Sequence, residues 1–364
     1  MNWGLQVRQH LQQRYTGLSR GKKILVWCLL AWLAWQSYRW IHRTPFMPQE
    51  IATVEQLTQP AQTVCLGRFL LDIPTSQVSK LSGTYDIDGM RIKTIQIQAS
   101  AQDYQSLVAQ RVGEIKAQVR SKDKSSRFLG FASMGAESQT LKYFVNHAGQ
   151  KIAFESWLLF SDAIIQVTLE TFEHDEDKKN DVSTRVPRLQ HLLTRLEHMP
   201  RDGSLPQGSG FCAGAVFVKG TEAVQEEMTA SFALPQPHQD LRVILSSNTS
   251  PPEKEGLLER AARNAALYGS HGFKFTKLRS GNKNVNGLKG EEMLATAPIN
   301  DKGGIGQNYN WEHTQNEPSV LKPQVSFDLE GPNGSTPTSS LSDAIAVGVY
   351  DRILGTLRLR PGQQ

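Results

Sequence analysis

Thr63–Pro74 reads TVCLGRFLLDIP, and Gly210–Gly220 reads GFCAGAVFVKG. Cys65-x-Gly67 in the first matches Cys212-x-Gly214 in the second at an offset of 147 residues. A recurring phrase is the mark of a repeated unit when the elements after it recur as well. After Cys65 come an alternating strand, Met90–Gln98 (MRIKTIQIQ), and a helix over Asp103–Val119 with Tyr104, Leu107, Val108, Val112, Ile115 and Val119 on one face. After Cys212 come Met228–Ala233, the strand Asp240–Ser246, and a helix opening at Pro251-Pro252-Glu253 with Leu257, Leu258, Ala261, Ala262, Ala265 and Leu267 on its apolar side. Each half then runs through strands: Leu141–Val145, Lys151–Leu159 and Ile164–Glu170 in the first, Glu292–Ala297, Tyr309–His313 and Val325–Glu330 in the second. Each closes on a helix, Val182–His198 and Leu341–Leu357, the latter entered through Ser340-x-x-Asp343. The expected fold is α+β, an internal duplication of two topologically related domains, 63–199 and 210–361, joined by the Gly/Pro/Ser-rich linker 200–209.

The 364-residue chain has 39% hydrophobic and 21% charged residues, enough apolar surface for a core in each half. Its net charge of +5 is not spread over a folded face. Residues 1–49 carry seven Lys/Arg and no acid, leaving 33 basic and 35 acidic side chains for the rest. A nucleic-acid reader needs its charge on the folded body, so no nucleic-acid partner is expected.

Ile24–Trp35 is an unbroken apolar run, ILVWCLLAWLAW, extended loosely through Tyr38, Trp40 and Ile41. With its flank it approaches the ~20 residues that span a bilayer, and Trp35, Tyr38 and Trp40 cluster as an interfacial belt does. No small-x-small cleavage pattern follows it. The reading is a basic cytoplasmic segment 1–23, a transmembrane signal anchor 24–41, and a polar, proline-punctuated tether 42–62. The positive-inside rule then places a single-pass protein in the inner membrane with its body in the periplasm.

Motifs for chemistry are absent: there is no G-x-S-x-G elbow, no H-E-x-x-H helix, and no Walker or dinucleotide glycine pattern. Glu173-His174-Asp175-Glu176-Asp177 is the densest set of potential metal ligands, but it reads as a solvated turn before a helix. No catalytic residue, metal, cofactor or small-molecule substrate is expected. Outside the anchor only Cys65 and Cys212 remain. If the halves pack about a pseudo-twofold axis, the two cysteines meet and bridge; otherwise they are two buried thiols. The second half also carries a long polar stretch, Pro298–Pro323. Within it Asp301, Lys302, Gly303, Gly304, Ile305, Gly306 and Gln307, with Tyr309 and Trp311, form a candidate partner-binding loop, because long loops and exposed aromatics carry interfaces. Tyr309 and Trp311 alternate with polar neighbours and are equally readable as core-facing.

Cys65–Pro74 (CLGRFLLDIP) resembles the opening of the N-terminal domain of the type VI secretion immunity proteins cognate to the fourth class of antibacterial phospholipase effectors. Gly210–Gly214 (GFCAG) resembles the start of that family's C-terminal domain, and Leu354–Pro361 (LGTLRLRP) fits its end. The resemblance implies a periplasmic, non-catalytic inhibitor whose two domains grip a cognate lipase effector like a claw, protecting the cell from self or sister-cell intoxication. A membrane-anchored periplasmic enzyme or envelope-assembly module is the second function class the sequence leaves open.

Overall fold

The computed structural model describes residues 48–362 apart from 122, 136–137, 147–149, 174–179, 201–203, 271–274, 299–303 and 333–337, together with Trp27 and Trp32. The expected anchor therefore lies outside the described residues save for those two tryptophans. Among the described residues no helix is long and apolar enough to cross a membrane. One compact unit comprises Thr53–Gln364. The expected tether is partly ordered, because helix α1 occupies Pro48–Thr58 and buries Leu57 and Thr58.

The first half runs β1 (Ala61–Leu66), β2 (Phe69–Pro74), the short α2 (Thr75–Val78), β3 (Ser82–Ile87), β4 (Met90–Ile97), α3 (Ala101–Ala117), β5 (Phe128–Ala132), β6 (Ser138–Phe144), β7 (Lys151–Phe160), β8 (Ala163–Phe172), α4 (Val182–Thr194) and β9 (Leu196–His198). The second runs β10 (Gly210–Ala213), β11 (Val216–Lys219), β12 (Glu226–Ala233), β13 (Arg242–Asn248), α5 (Leu257–Ser270), β14 (Thr276–Val285), β15 (Leu288–Pro298), β16 (Ile305–His313), β17 (Gln324–Gly331), α6 (Asp343–Leu354) and β18 (Arg358–Leu359). Apart from α2, the two orders are the same.

The Cys-x-Gly phrase is a hairpin turn. Gly67-Arg68 and Gly214-Ala215 are two-residue loops with Leu66 opposite Phe69 and Ala213 opposite Val216. Both glycines have positive φ, +57° and +65°, as the first central position of such a turn demands. A Cβ on Gly214 would stand 2.5 Å from the Thr94 hydroxyl, so glycine is required there for space as well.

Twelve of the described strands form one antiparallel sheet, in the order β14-β15-β16-β17-β13-β12-β3-β4-β8-β7-β6-β5. Its midpoint is the pairing of β12 with β3, where Met228 faces Tyr85 and Ser231 faces Ser82. Read outward from that seam, the strands on either side correspond one to one. The two halves are thus joined more closely than lobes on a hinge. The final strand of each half is also exchanged: β9 pairs with β11 of the second hairpin, and β18 pairs with β2 of the first. The linker is fastened too, because the Arg360 guanidinium donates to the carbonyls of Pro206, Gly208 and Gly210. A Gly/Pro/Ser composition signals a turn but not whether its carbonyls find donors.

Alternation along the strands divides the sheet into two faces. The inner face carries Ile87, Ile165, Val167, Met228, Phe232, Tyr309, Trp311 and Phe327, all buried in one continuous core with the hairpins, α4 and α6. On the outer face α3 packs over β5 and β7 and α5 over β15. Helix α3 starts at a capping box, with the Ser100 hydroxyl accepting from the Asp103 amide and the Asp103 carboxylate accepting from the Ser100 amide, rather than at Asp103 itself. The first closing helix ends at Thr194 and the second spans Asp343–Leu354, capped by Ser342 rather than Ser340. Ser340 is diverted to Asp240, its amide donating over 2.9 Å.

Candidate functional site

Cys65 and Cys212 form a disulfide with Cα atoms 5.8 Å apart, well inside bridging range. They occupy equivalent positions in the two hairpins, and the hairpins also exchange backbone hydrogen bonds, Gly67 N to Cys212 O at 2.9 Å and Cys212 N to Gly67 O at 2.8 Å. Beside them lies an ion pair between the halves that has no counterpart about the pseudo-twofold. The Arg68 guanidinium, 1% exposed, donates to both carboxylate oxygens of Glu226 at 2.6 and 2.5 Å. Burial pushes the Glu226 carboxyl up, with Arg68 opposing it. The position equivalent to Arg68 is Ala215. These groups clamp the halves; they are covered and do not form a site.

The expected binding loop is mostly a strand. Ile305, Gly306, Gln307, Tyr309 and Trp311 all belong to β16, and Asp301, Lys302 and Gly303 lie outside the described residues. Tyr309 and Trp311 are fully buried on the inner face, and Gly304, Gly306 and Gln307 are buried too. Both aromatics are core residues and present no surface to a partner. Tyr309 packs edge-on against Tyr350 of α6, and the Trp311 indole donates to the Lys283 carbonyl at 3.1 Å. Ile305, half exposed, is the one side chain of this set left for a partner among the described residues. Of the Glu173–Asp177 cluster, Glu173 follows β8 and the others lie outside the described residues. Among the described residues no group of three or more His, Cys, Asp or Glu is arranged to hold a metal.

What the fold leaves open is the outer face between α3 and α5. Cross-strand register assembles it in rows. One row runs Asp86, Arg91, Thr168, Glu155 across β3, β4, β8 and β7. Another runs Thr84, Thr229, Ser246, Ser326, Glu312 across β3, β12, β13, β17 and β16. A third passes Ser82, Ser231, Ile244, Asp328 and Asn310. Hydroxyls pair at the seam, Ser82 with Ser231 at 3.3 Å, and beside it, Thr229 with Ser246 of β13 at 3.1 Å.

The two ends of this face differ. On the first half a groove of about 720 Å³ is lined by Arg91, Lys93, Arg111, Lys151 and Arg185 against Asp86, Glu155 and Glu170. Arg111 of α3 grips Glu155 at 3.0 and 2.9 Å, and Tyr143 and Trp157 also donate to that carboxylate. Burial favours the protonated acid, but these donors prevail and hold the Glu155 carboxyl below its usual range. On the second half the outer face of β17 and β16 carries Asp328, Glu330 and Glu312. Burial raises Asp328 to about 6, opposed by a hydrogen bond from Asn310 at 2.7 Å and reinforced by Glu312 and Glu330. Arg260 of α5 holds Glu312 at 2.6 and 2.7 Å, as Arg111 holds Glu155.

A two-part fold with an open polar face and a covalent clamp has a counterpart in known families. The model of the Tle cognate immunity protein 4 N-terminal domain matches residues 62–198, and that of the C-terminal domain matches residues 204–362. The chain belongs to the Tle cognate immunity protein 4 family. The fold is shared with the apo structure of TplEi, an immunity protein of the type VI secretion system of Pseudomonas aeruginosa. The two are 24% identical with a TM-score of 0.67, covering 83% of this chain and 97% of that one. The Tle4–Tli4 complex contains a chain of the same fold, at 24% identity and a TM-score of 0.68, covering 83% of this chain and 98% of that one. TplEi complexed with "L" peptide is likewise similar, at 23% identity and a TM-score of 0.63, covering 84% of this chain and 99% of that one. No curated protein matches the chain.

The charged residues of this face that sequence reading did not single out are Arg91, Lys93 and Arg185 in the groove and Asp328 and Glu330 on β17. Their signal was the alternation itself: MRIKTIQIQ puts Arg91 and Lys93 on the polar side of one strand.

Proposed function

We propose that this chain is an immunity protein that binds and inhibits a type VI secreted antibacterial phospholipase in the periplasm. It protects the producing cell from its own effector and from that of sister cells. It acts by occupying the effector and carries out no reaction itself. The observation that carries this reading is the open polar face of the sheet. The face spans both halves, carries no helix between α3 and α5 among the described residues, and is backed by one core that crosses the seam. Such a surface presents many fixed polar groups to a protein and encloses no substrate.

The anchor Ile24–Ile41 holds the body beside the bilayer that a phospholipase attacks, with residues 1–23 in the cytoplasm. The Cys65–Cys212 bridge suits that oxidising compartment. The matching element orders reflect internal duplication followed by exchange of the terminal strands β9 and β18.

The test is protection. A cognate effector lipase directed to the periplasm of a susceptible cell arrests growth, and co-expression of the full chain restores it. A version lacking residues 1–41, and so retained in the cytoplasm, gives no protection. Growth arrest that persists despite full-length protein in the membrane fraction contradicts the proposal.

A further inference from the structure

A repeated fold offers a partner two nearly equivalent ways to dock, related by the pseudo-twofold at the β12–β3 seam. Only side-chain differences between the halves break that degeneracy, and on the outer face the largest difference is charge.

The first-half groove contains three cations that outnumber the carboxylates left unpaired beside them, Asp86 and Asp88. Arg91 and Lys93 are exposed on β4, and Arg185 reaches the groove from the first turn of α4. Arg111 and Lys151 are committed to Glu155 and Glu170. Arg91, Lys93 and Arg185 make no side-chain hydrogen bond or ion pair among the described residues; Arg91 and Arg185 lie in the field of Asp86, and Arg185 also in those of Arg188 and Asp88. Arg91 and Lys93 lie two residues apart on one face of a strand, so their Cα atoms are about 6.5–7 Å apart. That is the spacing of alternate side chains on another extended segment. In the second half the counterpart of β4 is β13, which carries Arg242, Ile244 and Ser246 on this face; Glu330 and Asp328 stand on β17, Glu330 opposite Arg242, and Glu312 on β16 is committed to Arg260.

We propose that the first-half groove receives an extended acidic segment of the bound effector, read by Arg91, Lys93 and Arg185, while the acidic outer face of β16 and β17 rejects that segment. The partner is thereby held to one of the two orientations that the repeat would allow. This rests on the effector-binding reading. Attraction at one end and repulsion at the other give specificity as well as affinity, because like charges brought together at an interface oppose binding.

The test uses the full chain and its cognate effector, with the dissociation constant measured at low and high salt. Arg91→Glu with Lys93→Glu is expected to weaken binding about 100-fold and flatten the salt dependence. The neutral pair Arg91→Gln with Lys93→Gln should weaken it about 10-fold. Both sites are exposed, and matched melting curves show that the fold is kept; Arg185→Gln gives an independent variant on a different element. Dissociation constants within twofold of wild type for all three overturn the inference and leave the effector-binding reading standing. If vesicles of anionic phosphatidylglycerol bind wild type but not the Arg91/Lys93 variants, while effector binding is unchanged, the groove takes a lipid headgroup and the inference fails. If the wild-type chain itself does not bind the effector, the effector-binding reading falls and this inference falls with it.

Discussion

The two halves have the same strand and helix order but not the same tasks. Hairpin β1–β2 places Arg68 in its turn, where β10–β11 has Ala215, and that single difference plants a buried cation whose anion, Glu226, belongs to the other half. Helix α3 is pinned to β7 through Arg111 and a carboxylate that is 2% exposed; helix α5 is pinned to β16 through Arg260 and one that is 22% exposed. On the outer face the first half leaves cations unpaired and the second half leaves carboxylates crowded. A repeated backbone supplies the continuous sheet; the departures from the repeat supply the clamp and the polarity.

The largest effect should come from the clamp that has no counterpart. Arg68→Ala strands the Glu226 carboxylate in the core and is expected to cost about 3–5 kcal/mol in a denaturant melt, while Ala215→Gly at the equivalent turn position costs under ~1 kcal/mol. Equal costs would mean that the halves are clamped symmetrically. Next is the covalent link. Replacing Cys65 and Cys212 by Ser opens a loop with a sequence separation of 147 and should remove about 2–4 kcal/mol. Reductant should reproduce that loss in wild type and leave the variant unchanged.

The helix pins come third. Arg111→Ala leaves a buried carboxylate without its main donor and should cost roughly 2 kcal/mol, against roughly 1 kcal/mol or less for Arg260→Ala, whose partner can turn to water. Thermal melts of the two single variants decide the ordering. The smallest effect is a pH-dependent gain. Asp328 is raised by burial to about 6 in the folded protein, above its unfolded value of about 3.9. Its contribution is therefore intact below about pH 4 and is lost as pH rises through 6. Asp328→Asn should gain about 1–2 kcal/mol at pH 7.5 and nothing at pH 4, so its melting curve should converge with wild type on acidification. A constant difference across that range would show that the carboxyl is not perturbed.

Much of this was legible in the chain. The hairpin glycines, the β4 and β12 alternation and the helical faces of α3 and α5 are local patterns, and the Cys-x-Gly echo links the two openings. What escaped depends on neighbours that are distant in sequence. Leu196 continues the helical spacing of Leu189, Leu192 and Leu193, which hides the short strand β9 that comes after α4 and pairs across to Val216–Val218. Nothing in Ser82–Ile87 announces that it pairs with Glu226–Ser231. At β16 the period of two was legible over Tyr309–His313, with Tyr309, Trp311 and His313 facing inward and Asn310 and Glu312 outward, but the glycine and polar residues of Ile305–Asn308 made the start of the strand look like a loop. The groove was half visible: Arg91 and Lys93 share a face by alternation, whereas their juxtaposition with Lys151 and Arg185 needs the β4–β8–β7 register and the start of α4.

The central claim is that this body inhibits by stoichiometric capture of its effector. The most direct measurement is titration of the purified full-length chain into its cognate lipase, following phospholipid hydrolysis and heat release together. The account predicts that hydrolysis falls linearly to zero at one chain per effector, with the calorimetric end point at the same ratio. Undiminished hydrolysis in the presence of a severalfold excess of folded, disulfide-bonded chain would contradict it.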